Sequence, residues 1–158
     1  MSDSPTIHAS AVLIGSKAVL IRGPSGSGKS TLAWALVAAG SPGSRAGALT
    51  FTRLVADDRA LVEAKAGRLL VRPAPNLAGL IEIRGLGIRM ITYEKAAVVG
   101  LVVDLAASDA ARMPASEAES TMISGITLPR LAVAAGSDPL HPLLAWAQNA
   151  PWNAPVAD

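Results

Sequence analysis

Residues 23–30 read GPSGSGKS, and this short stretch sets the class of fold. It fits the pattern G-x-x-x-x-G-K-[ST], in which successive backbone N–H groups form a nest for phosphate oxygens. In that pattern the lysine, here Lys29, contacts the outer phosphates of a nucleotide, and the hydroxyl, here Ser30, binds Mg²⁺. ATPases, GTPases and kinases of several types use such a loop, so the motif alone leaves the reaction open.

The sequence on either side of the loop supports the motif. Apolar runs over 9–14 and 18–22, separated by a turn at 15–17, predict a strand hairpin that feeds the loop. Residues 29–39 are rich in helix formers and end at Gly40, which predicts a helix whose N-terminus faces the phosphates. The predicted nucleotide-binding residues are Gly23, Pro24, Ser25, Gly26, Ser27, Gly28, Lys29, Ser30 and, in the first turn of the helix, Thr31.

Composition limits the remaining choices. A chain of 158 residues with 51% apolar and 3% aromatic content predicts one domain with a core of Ala, Val, Leu and Ile. The net charge of +2 contains no basic run, so we expect no nucleic-acid partner. Absence of cysteine excludes disulfides and thiolate metal sites. No signal peptide and no apolar run of membrane-spanning length is present, so we expect no membrane contact and a cytoplasmic location.

The rest of the chain completes an α/β pattern. We predict a strand that ends at two aspartates near 57, a hairpin that turns at 66–67, a buried strand over 96–105, and a mobile loop over 106–125. A short C-terminal helix is expected after Pro139. The predicted fold is one P-loop NTPase-like domain over 1–158 with a twisted mixed sheet, the P-loop helix on one face, and disordered ends at 1–6 and 151–158.

A P-loop enzyme also needs a carboxylate at the end of a neighbouring strand, and the sequence offers two places for it. Asp57 and Asp58 end one strand, and Asp104 ends another. The adjacent pair is the better candidate because two acids leaving a buried strand are costly without a cation. A single aspartate such as Asp104 more often caps the next segment.

Two further positions carry weaker signals. Glu82 and Arg84 alternate with apolar residues, which is typical of a solvated strand face, although Gly85 and Gly87 follow and allow close backbone approach to a ligand. His8 lies just before the first strand of the hairpin, and taken alone it is more typical of a surface histidine.

Three segments occur in an order that resembles one family. His8 is followed after 14 residues by the phosphate loop, then by RLVADDR at 53–59 and APNLAGLIEIRGLGI at 74–88. This resembles the C-terminal catalytic domain of HPr kinase/phosphorylase, a bacterial enzyme. The resemblance is strong from residue 8 to about 91 and weak beyond. It implies that the enzyme uses ATP to phosphorylate a serine of HPr, the phosphocarrier of the sugar phosphotransferase system. It also implies that the enzyme removes this phosphoryl group with inorganic phosphate, which gives pyrophosphate.

The resemblance also implies roles for individual residues. Lys29 and the loop would bind ATP, and Ser30 and Glu82 would hold Mg²⁺, a site to which we also assign Asp57 of the aspartate pair. Asp58 matches the carboxylate that takes the serine proton, and His8 matches the histidine beside it. Arg112, in DAARMP at 109–114, resembles the arginine of the family's mobile loop. Hexamers are typical of the family, so a homo-oligomer is expected.

Departures from the family pattern leave alternatives open. We expect a short form without the family's N-terminal domain, Thr31 where the family usually has Glu, and an insertion at 41–47. The family's arginine segment linked with dephosphorylation would fall near AVAAGSDP at 132–139, which has no arginine. The alternatives to an HPr kinase are a P-loop kinase or ATPase of another substrate class, and a catalytically weak nucleotide-sensing module.

Overall fold

Eleven strands and two helices are present in the residues described by a computed structural model of the chain, namely 5–40, 49 and 51–148. They are β1 (Thr6–Ile7), β2 (Ala9–Ile14), β3 (Lys17–Arg22), α1 (Lys29–Ala39), β4 (Thr52–Ala56), β5 (Ala60–Lys65), β6 (Arg68–Pro73), β7 (Leu80–Ile83), β8 (Gly87–Met90), β9 (Ala97–Asp104), β10 (Ser120–Ile123), β11 (Ile126–Ala132) and α2 (Leu140–Gln148). Single 3-10 turns lie at Pro75–Leu77 and Ser116–Glu119.

Strand direction brings the ends of four strands to one edge of the main sheet. The order is β1-β5-β6-β9-β3-β2-β4, with β11 joined to β9 and β10 to β11. Strand β3 is parallel to β9, and β9 is parallel to β11. Because β2 is antiparallel to both β3 and β4, β4 runs in the same direction as β3. The carboxyl ends of β3, β4, β9 and β11 therefore meet at the edge where ligands bind in α/β sheets.

Two apolar layers stabilise the sheet. On one face, helices α1 and α2 pack on it through fully buried residues such as Leu36 and Leu143, together with Val12 of β2. The other face is covered by the sheet itself, because Val62 of β5 and Val71 of β6 belong to the same buried cluster as Leu20 of β3. Small and β-branched side chains allow this close packing. The predicted twisted mixed sheet with the P-loop helix on one face and a short C-terminal helix is confirmed.

The prediction of a loop over 106–125 was only partly right. Residues 120–123 form β10, which pairs antiparallel with β11 from Ser120 opposite Pro129 to Ile123 opposite Ile126. The tight turn at Ser124 and Gly125, both with positive φ, makes this hairpin. The small polar residues of the segment conceal a strand whose partner lies just ahead in the chain.

Some predictions fall outside the described residues. The insertion at 41–47 lies there, as do the ends at 1–4 and 151–158. At the N-terminus the prediction of disorder extends too far, because Thr6 of β1 already pairs with Leu61 of β5. None of the described helices has the length and apolar character needed to span a membrane.

Candidate active site

The phosphate loop joins β3 to α1 in the conformation that its glycines require. Gly26 and Gly28 have φ values of 79° and 101°, which residues with a Cβ rarely adopt. Ser27 N–H donates to the carbonyl of Pro24 at 3.0 Å, so the loop closes on itself before the helix begins. The backbone N–H groups at the start of α1 are thus turned toward the same edge of the sheet.

Lys29 is buried inside this loop. Its side chain is 6% exposed, and Nζ donates to the carbonyls of Gly23 and Pro24 at 2.9 and 3.2 Å. A buried ammonium is stable only when its donors are satisfied. Bound phosphate oxygens offer stronger, charged acceptors to the same Nζ.

Asp57, immediately after β4, accepts three hydrogen bonds. Ser30 Oγ and Ser10 Oγ each donate to Oδ1 at 2.7 Å, and the backbone N–H of Glu82 donates to Oδ2 at 3.1 Å. Among the described residues, the buried polar or charged ones are Ser10, Lys29 and Asp57. All three lie at this site, so the polar groups that the protein removes from water are concentrated beside the phosphate loop.

Asp58 lies at the centre of a tight turn. Its φ is 66°, and Arg59 N–H donates to the carbonyl of Asp57 at 2.8 Å, which is the three-residue γ-turn. The turn carries the Asp58 carboxylate out of the sheet edge to 59% exposure, where Oδ1 lies 3.6 Å from Nδ1 of His8. This distance exceeds a hydrogen bond, so the two side chains are neighbours at an open surface.

Glu82 is joined to the site through its backbone N–H. Its backbone is fixed by Asp57, whereas its side chain is exposed. A serine hydroxyl with two carboxylates fits Mg²⁺, which prefers oxygen ligands, few protein groups and retained waters. The described residues contain no cluster of three His, Cys, Asp or Glu side chains of the kind that holds a metal without help.

A cavity of about 300 Å³ lies on the other side of the phosphate loop. Its walls are formed by Ser25 and Ser27 of the loop, by Ala106 after β9, and by residues 133–137 after β11. Ser27 Oγ is the buried side-chain polar atom that lacks a hydrogen-bond partner within the described part of the chain. The cavity carries no charged side chain, which suits the uncharged part of a nucleotide.

Asp104 does not face this site. It binds Arg22 through two hydrogen bonds of 2.7 and 2.9 Å and also accepts a bond from Arg130 Nε. Burial raises the pKa of Asp104, but hydrogen bonds from the two guanidinium groups, and their charges, outweigh this and hold it below its usual 3.8. Asp104 thus joins strands β3, β9 and β11.

Arg130 extends this network to the segment that follows β9. Its Nη1 and Nη2 bind both carboxylate oxygens of Asp109 at 2.8 and 3.0 Å, and Nη1 also donates to the carbonyl of Ala118. Hydrogen bonding to Arg130 lowers the pKa of Asp109. Arg112 lies in the same segment, exposed, and within the described residues no hydrogen bond or ion pair connects it to the site. Thr31 is exposed on the first turn of α1.

Comparison with known proteins shows which family the chain resembles. The family described as HPr Serine kinase C-terminal domain matches residues 1–134. The chain belongs to this family. The resemblance inferred from the phosphate loop, the aspartate pair and the glutamate hairpin is thereby confirmed.

Individual relatives agree with the family assignment. HPr kinase/phosphorylases from three strains of Streptococcus thermophilus are 43% identical over 89 residues, which is 56% of this chain. The match spans 25% of the length of those relatives. The solved structure of the Hpr(Ser) kinase/phosphatase from Coxiella burnetii superposes with a TM-score of 0.65 at 26% identity, covering 89% of this chain and 90% of that one.

Two contacts were missed in the sequence, one at the site and one beside it. Ser10 is a single hydroxyl within the apolar strand ASAVLI, and only its burial shows that it serves the aspartates. The role of Arg22 was also missed because its partner is 82 residues away. A polar residue inside an otherwise apolar strand is the one sequence signal that could have indicated Ser10.

Proposed function

We propose that this chain transfers the γ-phosphoryl group of ATP to a serine of HPr. The observation that carries the proposal is the hydrogen bond from Ser30 of the phosphate loop to Asp57, next to the exposed Asp58–His8 pair. At this edge of the sheet, phosphates bound by the loop would lie close to an exposed carboxylate that can receive the proton of an acceptor hydroxyl. Family membership supplies the identity of the acceptor, and a cytoplasmic location follows from the need for ATP.

The site divides into three parts along this edge. Lys29 and the N–H groups of the loop bind the phosphates, and the cavity beside Ser27 receives the nucleoside. Ser30 and Glu82 would hold Mg²⁺, and Asp57 would belong to the site by fixing both of them. When bound, the metal neutralises charge on the phosphates.

Asp58 acts on the incoming serine. Its carboxylate takes the hydroxyl proton as the serine oxygen forms a bond to the γ-phosphorus, and the bond to the bridging oxygen breaks with its electron pair leaving on ADP. His8 Nδ1, 3.6 Å from Asp58 Oδ1, is the neighbouring group that would receive this proton once the two side chains close to hydrogen-bond distance. A positioned base of this kind contributes about 10²–10⁴-fold to the rate. Arg112 is proposed to contact phosphate from the segment after β9.

The test is phosphorylation of HPr by the purified chain with Mg²⁺ and labelled ATP. The rate of phosphoryl transfer should fall by at least about 10²-fold in Lys29→Ala, because a hydrogen-bond donor to the transferred group is removed. Lys65→Ala, an exposed lysine at the end of β5, is the matched control and should retain full activity. Nucleotide binding without transfer to HPr would favour the nucleotide-sensing alternative, and transfer to other acceptors or water would favour another P-loop class.

A further inference from the structure

Ser10 makes two hydrogen bonds that connect the two aspartates. The residue is fully buried on β2, where Oγ donates to Asp57 Oδ1 at 2.7 Å and accepts from the backbone N–H of Asp58 at 3.1 Å. A hydroxyl has a single proton to donate. Since a carboxylate can only accept and an N–H can only donate, the orientation of the Ser10 hydroxyl is fixed.

The other residues of β2 show that apolar packing does not account for a hydroxyl at this position. Its neighbours Ala9, Ala11 and Val12 are fully buried and apolar. A hydroxyl in such a strand costs free energy unless both of its roles are satisfied. Here both are satisfied by the aspartates.

The γ-turn at Asp58 depends on the same strand. The carbonyl of Asp58 accepts from Ala9 N–H at 3.1 Å, and its N–H is held by Ser10. A central residue with positive φ is strained unless the surroundings fix it. Both polar groups of the Asp58 backbone are thus bound by consecutive residues of β2, and this fixes the backbone from which the carboxylate projects.

We infer that Ser10 is a positioning residue that couples the metal side of the site, Asp57 with Ser30, to the proton-accepting Asp58. The inference rests on the proposed function for what the aspartates do. Without the hydroxyl, Asp57 Oδ1 keeps only Ser30 as a side-chain donor, and the N–H of Asp58 loses its partner. Both the metal-binding oxygen of Ser30 and the direction of Asp58 then become less fixed.

The test compares Ser10→Ala and Ser10→Thr with a packing control. Val12→Ala is that control. Val12 lies on the same strand and the same face of the sheet as Ser10, is fully buried, and has a side chain that cannot form a hydrogen bond with the aspartates. Three quantities are measured for each variant: the affinity of the protein–ADP complex for Mn²⁺ by electron paramagnetic resonance, kcat with HPr, and Tm. Mn²⁺ serves as the probe of the Mg²⁺ site.

Ser10→Ala is expected to weaken Mn²⁺ binding and lower kcat by about 10-fold or more each, as is typical when a partner of a ligand-holding group is removed. Ser10→Thr keeps the hydroxyl and should restore both. Val12→Ala should lower Tm at least as much while leaving Mn²⁺ affinity within about twofold. Equal losses in Val12→Ala, or unchanged Mn²⁺ affinity in Ser10→Ala, would overturn the inference.

Hydrogen exchange gives a readout that needs neither metal nor activity. The Asp58 amide should exchange faster in Ser10→Ala than in Val12→Ala, and equal rates would count against Ser10. If the wild-type chain fails to phosphorylate HPr, the proposed function fails. The Mn²⁺ and exchange results then still decide whether Ser10 organises the two aspartates.

Discussion

Ser30 Oγ lies 2.7 Å from Asp57 Oδ1 and donates a hydrogen bond to it. The two residues are 27 positions apart, on the first turn of α1 and after β4. The bond directs the proton of Ser30 toward the carboxylate and leaves the lone pairs of its oxygen for another ligand. Asp57 is thereby distinguished from Asp58, whose carboxylate is exposed, and the two should respond differently to the same substitution.

Asp58→Asn should retain the fold and nucleotide binding but lose about 10²-fold or more in turnover, because the base is removed. Asparagine tolerates the positive φ of 66°, so the turn is not strained. Steady-state kinetics with HPr and a nucleotide-binding titration measure the two effects. Turnover close to wild type would remove Asp58 from the role of base.

Asp57→Asn should instead lower Tm and raise the Mg²⁺ concentration required for half-maximal activity. The buried carboxylate accepts three hydrogen bonds, and an amide NH₂ cannot accept. Leaving buried donors unpaired costs about 1–3 kcal/mol each. The measurements are thermal unfolding and a Mg²⁺ titration of activity. If Asp57→Asn and Asp58→Asn lose the same activity and excess Mg²⁺ restores it in both, the two aspartates form a shared metal site instead.

Asp104→Asn should destabilise the protein in a pH-dependent way. The pKa of Asp104 is lowered in the folded state, so its contribution is present above the unfolded value of 3.8 and is lost as pH falls through the folded pKa. Removing one partner from this half-buried network should cost on the order of 3 kcal/mol at pH 7. Denaturant unfolding from pH 7 to 2.5 measures this effect. The difference in free energy of unfolding between variant and wild type should become smaller below pH 3.8, and a constant difference would contradict the prediction.

The bond between Asp109 and Arg130 should restrain the segment that carries Arg112. Arg112 is the only lysine or arginine between Lys95 and Arg130, so trypsin cleavage there gives a unique pair of fragments. Asp109→Asn should accelerate this cleavage a few-fold, since exposed ion pairs contribute little. Glu63→Gln removes the separate surface pair with Arg72 and is the control. Equal rates in the two variants would show that other contacts hold the segment.

Phosphate-dependent dephosphorylation of phosphoserine-HPr should be weak or absent. Inorganic phosphate must approach the phosphoserine, which requires more positive charge than the kinase reaction. Residues 132–139 contain no arginine, and Arg130 is already bound to Asp104 and Asp109. Pyrophosphate release over a phosphate titration measures this reaction. A rate comparable to the kinase rate would indicate that Arg112 or a neighbouring subunit supplies the charge.

Local patterns sufficed for the parts of the protein in which neighbouring residues act together. The phosphate loop, the helix from Lys29 and the strand that leads to Asp57 were predictable because turn glycines, helix formers and apolar runs act over a few residues. Strand β10 was not, because its four residues, STMI, are too short a pattern to predict a strand and form one by pairing with β11.

Tertiary structure alone decided which polar groups meet at the edge of the sheet. Ser10 reaches Asp57 across 47 residues, and Arg22 reaches Asp104 across 82. Nothing local distinguishes the buried Asp57 from the exposed Asp58, because adjacent identical residues have the same propensities. The γ-turn turns one carboxylate inward to the hydroxyls and the other outward to His8. Long-range strand pairing fixes that turn, and strand pairing depends on the whole sheet.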